Sequence, residues 1–105
     1  MAYERRGPAG WAVHPGEVLK EEFLGPLGLS GYALAKSLGV TPQRVSDIVL
    51  KKTGVSADMA LLLARFLGTS PEFWMNLQSS YLLATARKAL KRKVDRVRPH
   101  SKIVA

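Results

Sequence analysis

The sequence predicts an all-α bundle of five short helices followed by a basic extension whose apolar spacing lets it continue as helix. Two observations carry this. Apolar residues recur three and four positions apart in successive segments, and beyond the first dozen residues no stretch alternates apolar with polar as a half-buried strand would. Each segment is also bracketed by residues that start and stop helices, with Ser, Thr or Pro in front and Gly behind.

Residues 1–13, punctuated by Gly7, Pro8 and Gly10, read as an irregular arm that docks through Tyr3 and Trp11. The first helix is expected to start near Pro15, a residue preorganised for a first turn, with Glu17 near the positive end of the helix dipole. Val18, Leu19, Phe23 and Leu24 are available for burial, and Gly25 with Pro26 is expected to stop the helix. A second helix follows Ser30 as N-cap and turns Leu34, Ala35 and Leu38 inward before Gly39. The third opens with Thr41 as cap and Pro42 at the first helical position, then buries Val45, Ile48 and Val49. The fourth, residues 56–67, is apolar over most of its surface and is expected at the centre of the bundle. Ser70, Pro71 and Glu72 open a fifth that carries Phe73, Trp74, Leu77, Tyr81 and Leu82. Leu83, Leu90 and Val97 stand seven apart with Ala86 and Val94 between them, so one long helix can run on until Pro99 breaks it.

With 105 residues, 47% of them apolar, the chain has material for one modest core. It divides into the arm, a body over residues 14–86 and a basic tail over residues 87–105. The absence of cysteine excludes disulfides, thiolate metal sites and a cysteine nucleophile. No apolar run reaches the roughly 18 residues of a membrane span, and the first ten residues have no signal-peptide core, so the chain is expected in the cytoplasm. The net charge of +8 raises the expectation of a polyanionic partner, yet its location qualifies that reading. Up to Ala86, eight Lys and Arg face seven acids; from Arg87 onward, eight more face Asp95 alone. The excess is a property of the tail and says little about the body.

Residues 34–49, L-A-K-S-L-G-V-T-P-Q-R-V-S-D-I-V, carry the functional signal. Two helices that cross so that one can enter a DNA major groove need a tight turn, with Gly at its left-handed position and a small residue at the crossing. Gly39 and Ala35 meet both needs. Gln43, Arg44, Ser46 and Asp47 are then left on the outer side of the second helix near its N-terminus, where this motif reads base edges. Gln43 suits an adenine edge, Arg44 a guanine edge or a phosphate, and Asp47 a cytosine amine or the orienting of Arg44. Ser30, Tyr32, Lys36, Thr41, Lys51, Lys52 and Thr53 are the phosphate-contact candidates, which position the protein without specifying sequence. The same spacing occurs in ordinary helical hairpins with a solvated polar face, so a protein-interaction module remains the alternative. Phe73, Trp74, Leu77 and Tyr81 are candidates for a dimer interface, with the bundle core as the competing role. His14 reads as a cap, His100 is isolated, and no nucleophile motif, phosphate loop or metal-ligand spacing occurs, so neither catalysis nor a cofactor is expected.

Beyond this point the sequence resembles the HigA family of antitoxins, also called VapI-like, within the XRE class of repressors. The likeness runs from His14 to about Ala86. It rests on H-P-G-E-V-L-K-E-E-F-L from His14, L-G-L-S from Leu27, L-A-K-S-L-G-V-T from Leu34 and G-T-S-P-E-F-W-M-N-L-Q from Gly68. The resemblance implies a five-helix, lambda-repressor-like helix-turn-helix fold and a homodimer on an inverted-repeat operator. It also implies repression of the protein's own operon and sequestration of a HigB-like ribonuclease toxin; a solitary XRE-type regulator is the alternative within the class. Where the family has an N-G-K-like turn after the second helix of the motif, this chain has Leu50, Lys51, Lys52 and Thr53. A differently shaped phosphate-facing loop is therefore expected.

Overall fold

A computed structural model describes residues 6–7 and 11–101. Five helices form the bundle: α1 over residues 15–27, α2 Gly31–Leu38, α3 Pro42–Val49, α4 Ala57–Leu67 and α5 Pro71–Arg96. Each expected start is realised by its expected cap. The hydroxyls of Ser30, Thr41, Ser56 and Ser70 accept the backbone N–H of Ala33, Arg44, Met59 and Phe73 at 3.0–3.3 Å. Each takes up one of the amides that a helix N-terminus leaves without a partner.

The arm is more regular than the sequence suggests. Arg6–Gly7 (β1) pairs antiparallel with Trp11–Ala12 (β2), in the register Arg6 to Ala12 and Gly7 to Trp11, and β2 lies against α5. Tyr3 falls outside the described residues.

Helix α1 does not stop at Gly25 and Pro26. After Pro15–Val18 the chain widens into a π-helical stretch, Leu19–Leu24, then resumes α geometry over Gly25–Leu27 and ends at Gly28 with φ 61°. Gly25 N–H reaches back five residues to the Lys20 carbonyl. A proline inside an α-helix lacks a donor and crowds the carbonyl four residues back. The wider turn just before Pro26 changes that register, so the helix survives its proline.

The core gathers Val18, Leu19 and Leu24 of α1, Leu34, Ala35 and Leu38 of α2, and Val45 and Ile48 of α3 around α4 and Trp74. The apolar composition of α4 predicts burial nearly all round. The helix buries only Met59, Ala60, Leu63 and Ala64, while Leu61 and Phe66 remain exposed, because among the described residues no helix covers its outer side. Helix α5 buries Trp74 and Gln78 and then runs on to Arg96, exposed from Thr85 onward, so the basic extension is helical as far as Arg96. Among the described residues no helix is long and apolar enough to cross a membrane.

The end of α3 explains the shape of the loop that follows. Lys51 N–H bonds the Ile48 carbonyl and Lys52 N–H the Asp47 carbonyl, which is the Schellman closure of a helix. That closure places Lys51, not a glycine, in the left-handed conformation at φ 64°. A side chain there costs about 1 kcal/mol. Lys51 also forms an exposed ion pair with Glu17, Nζ to Oε1 3.0 Å, which offsets no more than about 1 kcal/mol. In a Glu17→Gln background, where the pair is gone, Lys51→Gly is expected to stabilise the chain by roughly 1 kcal/mol in urea unfolding. A neutral or destabilising result there would contradict the left-handed assignment.

Candidate nucleic-acid interface

The turn between α2 and α3 is closed in the same way. Gly39, at φ 73°, donates to the Lys36 carbonyl, and Val40 N–H reaches the Ala35 carbonyl at 3.0 Å. Ala35 is fully buried, and its small side chain admits α3 at the crossing. Val45 and Ile48 fasten α3 from the inside. By helical geometry Gln43 and Asp47 then point away from that seam, with Arg44 and Ser46 on its two flanks. Gln43, Arg44 and Ser46 are exposed and Asp47 is half-buried.

Asp47 orients Gln43, not Arg44. The Gln43 side-chain amide donates to Asp47 Oδ1 at 2.7 Å, one turn apart on the helix. The contact uses one amide hydrogen and leaves the Gln43 carbonyl oxygen able to accept. Arg44 has no side-chain partner among the described residues, so its guanidinium is free to fork onto a base edge or a phosphate.

The phosphate candidates fall at the two helix entries and the loop after α3. Ser30, Tyr32, Lys36, Thr41, Lys51, Lys52 and Thr53 are all exposed. Ser30 and Thr41 accept as caps and keep their hydroxyl hydrogens for a further acceptor. Of the two loop lysines, Lys51 is drawn to Glu17, which leaves Lys52 as the freer cation.

Of the four interface candidates on α5, Trp74 takes the competing role in the bundle core. Trp74 is fully buried within the single chain, and its Nε1–H donates to Thr69 Oγ1 at 2.7 Å. It therefore has no surface to offer a partner and is withdrawn from the dimer interface: a large apolar ring at the centre of the stripe is most stable under the bundle. Phe73 sits edge-on to Trp74 and to Phe23, Leu77 packs partly against the core, and Tyr81 meets His14 edge-on at 4.8 Å. These three keep part of their surface.

Two buried polar side chains, His14 and Gln78, complete the region. His14 caps α1 by accepting Gly16 N–H on Nδ1 at 2.9 Å. Burial holds its imidazole below the usual 6.5 and the Lys51 ammonium pushes the same way, against a hydrogen bond to the Thr53 backbone and the Glu17 carboxylate. The unfolded imidazole thus takes up its proton before the folded one. Stability is present above 6.5 and declines as the pH falls through that value towards the folded pKa. Melting curves between about pH 5.5 and 7.5 should show this loss, and His14→Asn, which retains a cap acceptor, should reduce it. An unchanged pH profile in the variant would remove His14 as the source. Gln78 stands out in the sequence only as part of a longer motif. The signal for it is a polar residue at the inward position of a Trp74, Leu77, Gln78, Tyr81 stripe.

A helix, a glycine-pinned turn and a second helix with a polar outer face, set on three supporting helices, define a helix-turn-helix protein. The helix-turn-helix family model matches residues 19–74. The chain is 48% identical to Virulence-associated protein I of Dichelobacter nodosus over 77 residues, 73% of this chain and 71% of that protein. It is 40% identical to antitoxin HigA-1 of Vibrio cholerae over 88 residues, 83% and 82% of the two chains. The structure of Pseudomonas aeruginosa antitoxin HigA with higBA promoter superposes with a TM-score of 0.81 at 47% identity, covering 84% of this chain and 97% of that one. The chain belongs to the helix-turn-helix family, in its branch of HigA antitoxins and virulence-associated proteins.

Proposed function

We propose that this chain is a sequence-specific DNA-binding autorepressor and the antitoxin of a HigB/HigA-type module, acting as a homodimer in the cytoplasm and having no enzymatic activity. The observation that carries the reading is the exposed N-terminal half of α3, where Gln43, held by Asp47, and the unpaired Arg44 stand clear of the bundle. The HigA structure with its promoter supports it. In a dimer the two α3 helices would enter successive major grooves about 34 Å apart on an inverted repeat. Phe73, Leu77 and Tyr81, with the exposed stripe of Leu83, Leu90 and Val94 along α5 and Val97 just beyond it, are the surfaces for a second copy. The kinship with antitoxin HigA-1 supports a toxin as the further partner, and a HigB-like ribonuclease is the toxin proposed. A gel-shift on the protein's own promoter tests the reading: a retarded band that random DNA does not compete away is expected, and retardation no stronger than on random DNA would refute it.

Residues 87–105 form the tail, and the part within α5 carries Arg87, Lys88, Lys91, Arg92, Lys93 and Arg96 on exposed helix. Residues 85–101 bury nothing, so truncation after Ala86 is expected to leave the body folded. It should flatten the dependence of log affinity on log salt by about 0.9 for each phosphate that the tail neutralises. An unchanged slope would assign the tail another role.

A further inference from the structure

The loop from Lys51 to Val55 leaves α3 and must return to α4, and its backbone is satisfied from three sides, one of them the hydrogen bond between His14 and the Thr53 backbone. Lys51, Lys52 and Thr53 donate their N–H groups back to the end of α3, at the Ile48 and Asp47 carbonyls. Val55 N–H turns the other way. It donates to Gln78 Oε1 at 2.6 Å, across 23 residues of sequence, and both residues are buried. Between them lies Gly54. A Cβ on Gly54 would overlap the Gln78 side-chain amide, so the glycine is what lets that amide cross the loop backbone to reach Val55. On the opposite side, Lys51 is tied to Glu17 of α1. The segment carrying Lys52 and Thr53 is thus held at Thr53 by His14 and gripped at its far end by one side chain of α5.

We infer that Gln78 is a positioning residue for DNA binding, passing over Gly54 to hold the loop that presents Lys52 and Thr53 to the phosphate backbone. The inference rests on the DNA-binding reading proposed above. Gln78 touches no DNA itself. It converts the fixed position of α5, anchored by Trp74 one turn earlier, into a fixed height for the loop beside α3. A buried amide N–H left without its acceptor would be driven to find water, and the loop would move with it.

Two substitutions break the contact from opposite sides. Gln78→Met keeps the length of the side chain and removes the acceptor, whereas Gly54→Ala leaves Gln78 in place and displaces its amide. Each is expected to weaken binding to the chain's own promoter duplex and to a random duplex by the same factor, roughly tenfold, and to reduce the salt slope by about one. The double variant should be no worse than the weaker-binding single one, since both break the same hydrogen bond. In the DNA-free protein, the Val55 amide should exchange its hydrogen faster in both variants. Should one variant fail to fold at the assay temperature, the other reads the same contact. Variants that melt earlier yet bind both duplexes with wild-type affinity and slope would overturn the inference and leave Gln78 a purely structural residue. A wild-type chain that binds its promoter no better than random DNA would overturn the DNA-binding reading, and the role of Gln78 with it.

Discussion

Gly16→Ala is expected to destabilise the protein by about 3 kcal/mol or more, a drop in melting temperature of roughly 12 °C or beyond for a domain of this size. Gly16 lies in the first turn of α1, fully covered, where a Cβ would overlap the carbonyl oxygen of Ile48 near the end of α3. Overpacking is tolerated when the neighbour is a flexible side chain; here it is backbone. Neither helix can retreat, because Val18 and Ile48 are buried on either side of the contact and Gly16 N–H is bound to His14. Gly31→Ala is the control. Its Cβ would meet Val45 Cγ1 at 3.5 Å, an ordinary contact, so that variant should be neutral or up to about 1 kcal/mol more stable. Equal stabilities for the two variants in urea would show that α1 and α3 do not touch as described. The contact also bears on function, since it sets the seat of the helix that carries Arg44.

Arg44→Ala is expected to cost about 1 to 3 kcal/mol of operator binding while leaving non-specific binding less affected, which flattens the preference for the operator over random DNA. The side chain is exposed, at the leading end of α3, and the fold does not depend on it. Lys52→Ala is the companion measurement. A cation on the loop should contribute to every sequence alike, so its loss is expected to weaken operator and random duplex by the same factor and to lower the salt slope by about one. The pair separates base reading from phosphate anchoring. If Arg44→Ala weakened both duplexes equally, Arg44 would move to the phosphate class, and base reading would rest on Gln43, Ser46 and Asp47.

What is legible in the sequence is local chemistry. The caps at Ser30, Thr41, Ser56 and Ser70 and the stop at Gly39 act within a few residues, so their effect follows from the residues themselves. The inward faces of α2 and α3 are legible for the same reason, since a 3.6-residue period needs no partner to be seen. Where the structure departs from the sequence pattern, distant neighbours decide. Pro26 reads as the end of α1, but a π-turn absorbs it. Leu61 and Phe66 read as interior residues, but among the described residues no helix reaches that side of α4.

The five-helix class, the turn at Gly39 and the polar outer side of α3 follow from residue order alone, because each is written in spacing and capping over fewer than about a dozen residues. Packing settles the rest: Trp74 lies under the bundle rather than on its surface, Asp47 holds Gln43 rather than Arg44, and Gln78 reaches Val55. One cause underlies all three. Periodicity says which side of a helix is apolar, but which group meets that side, or which of two donors an acceptor takes, depends on atoms placed by packing and not by sequence distance.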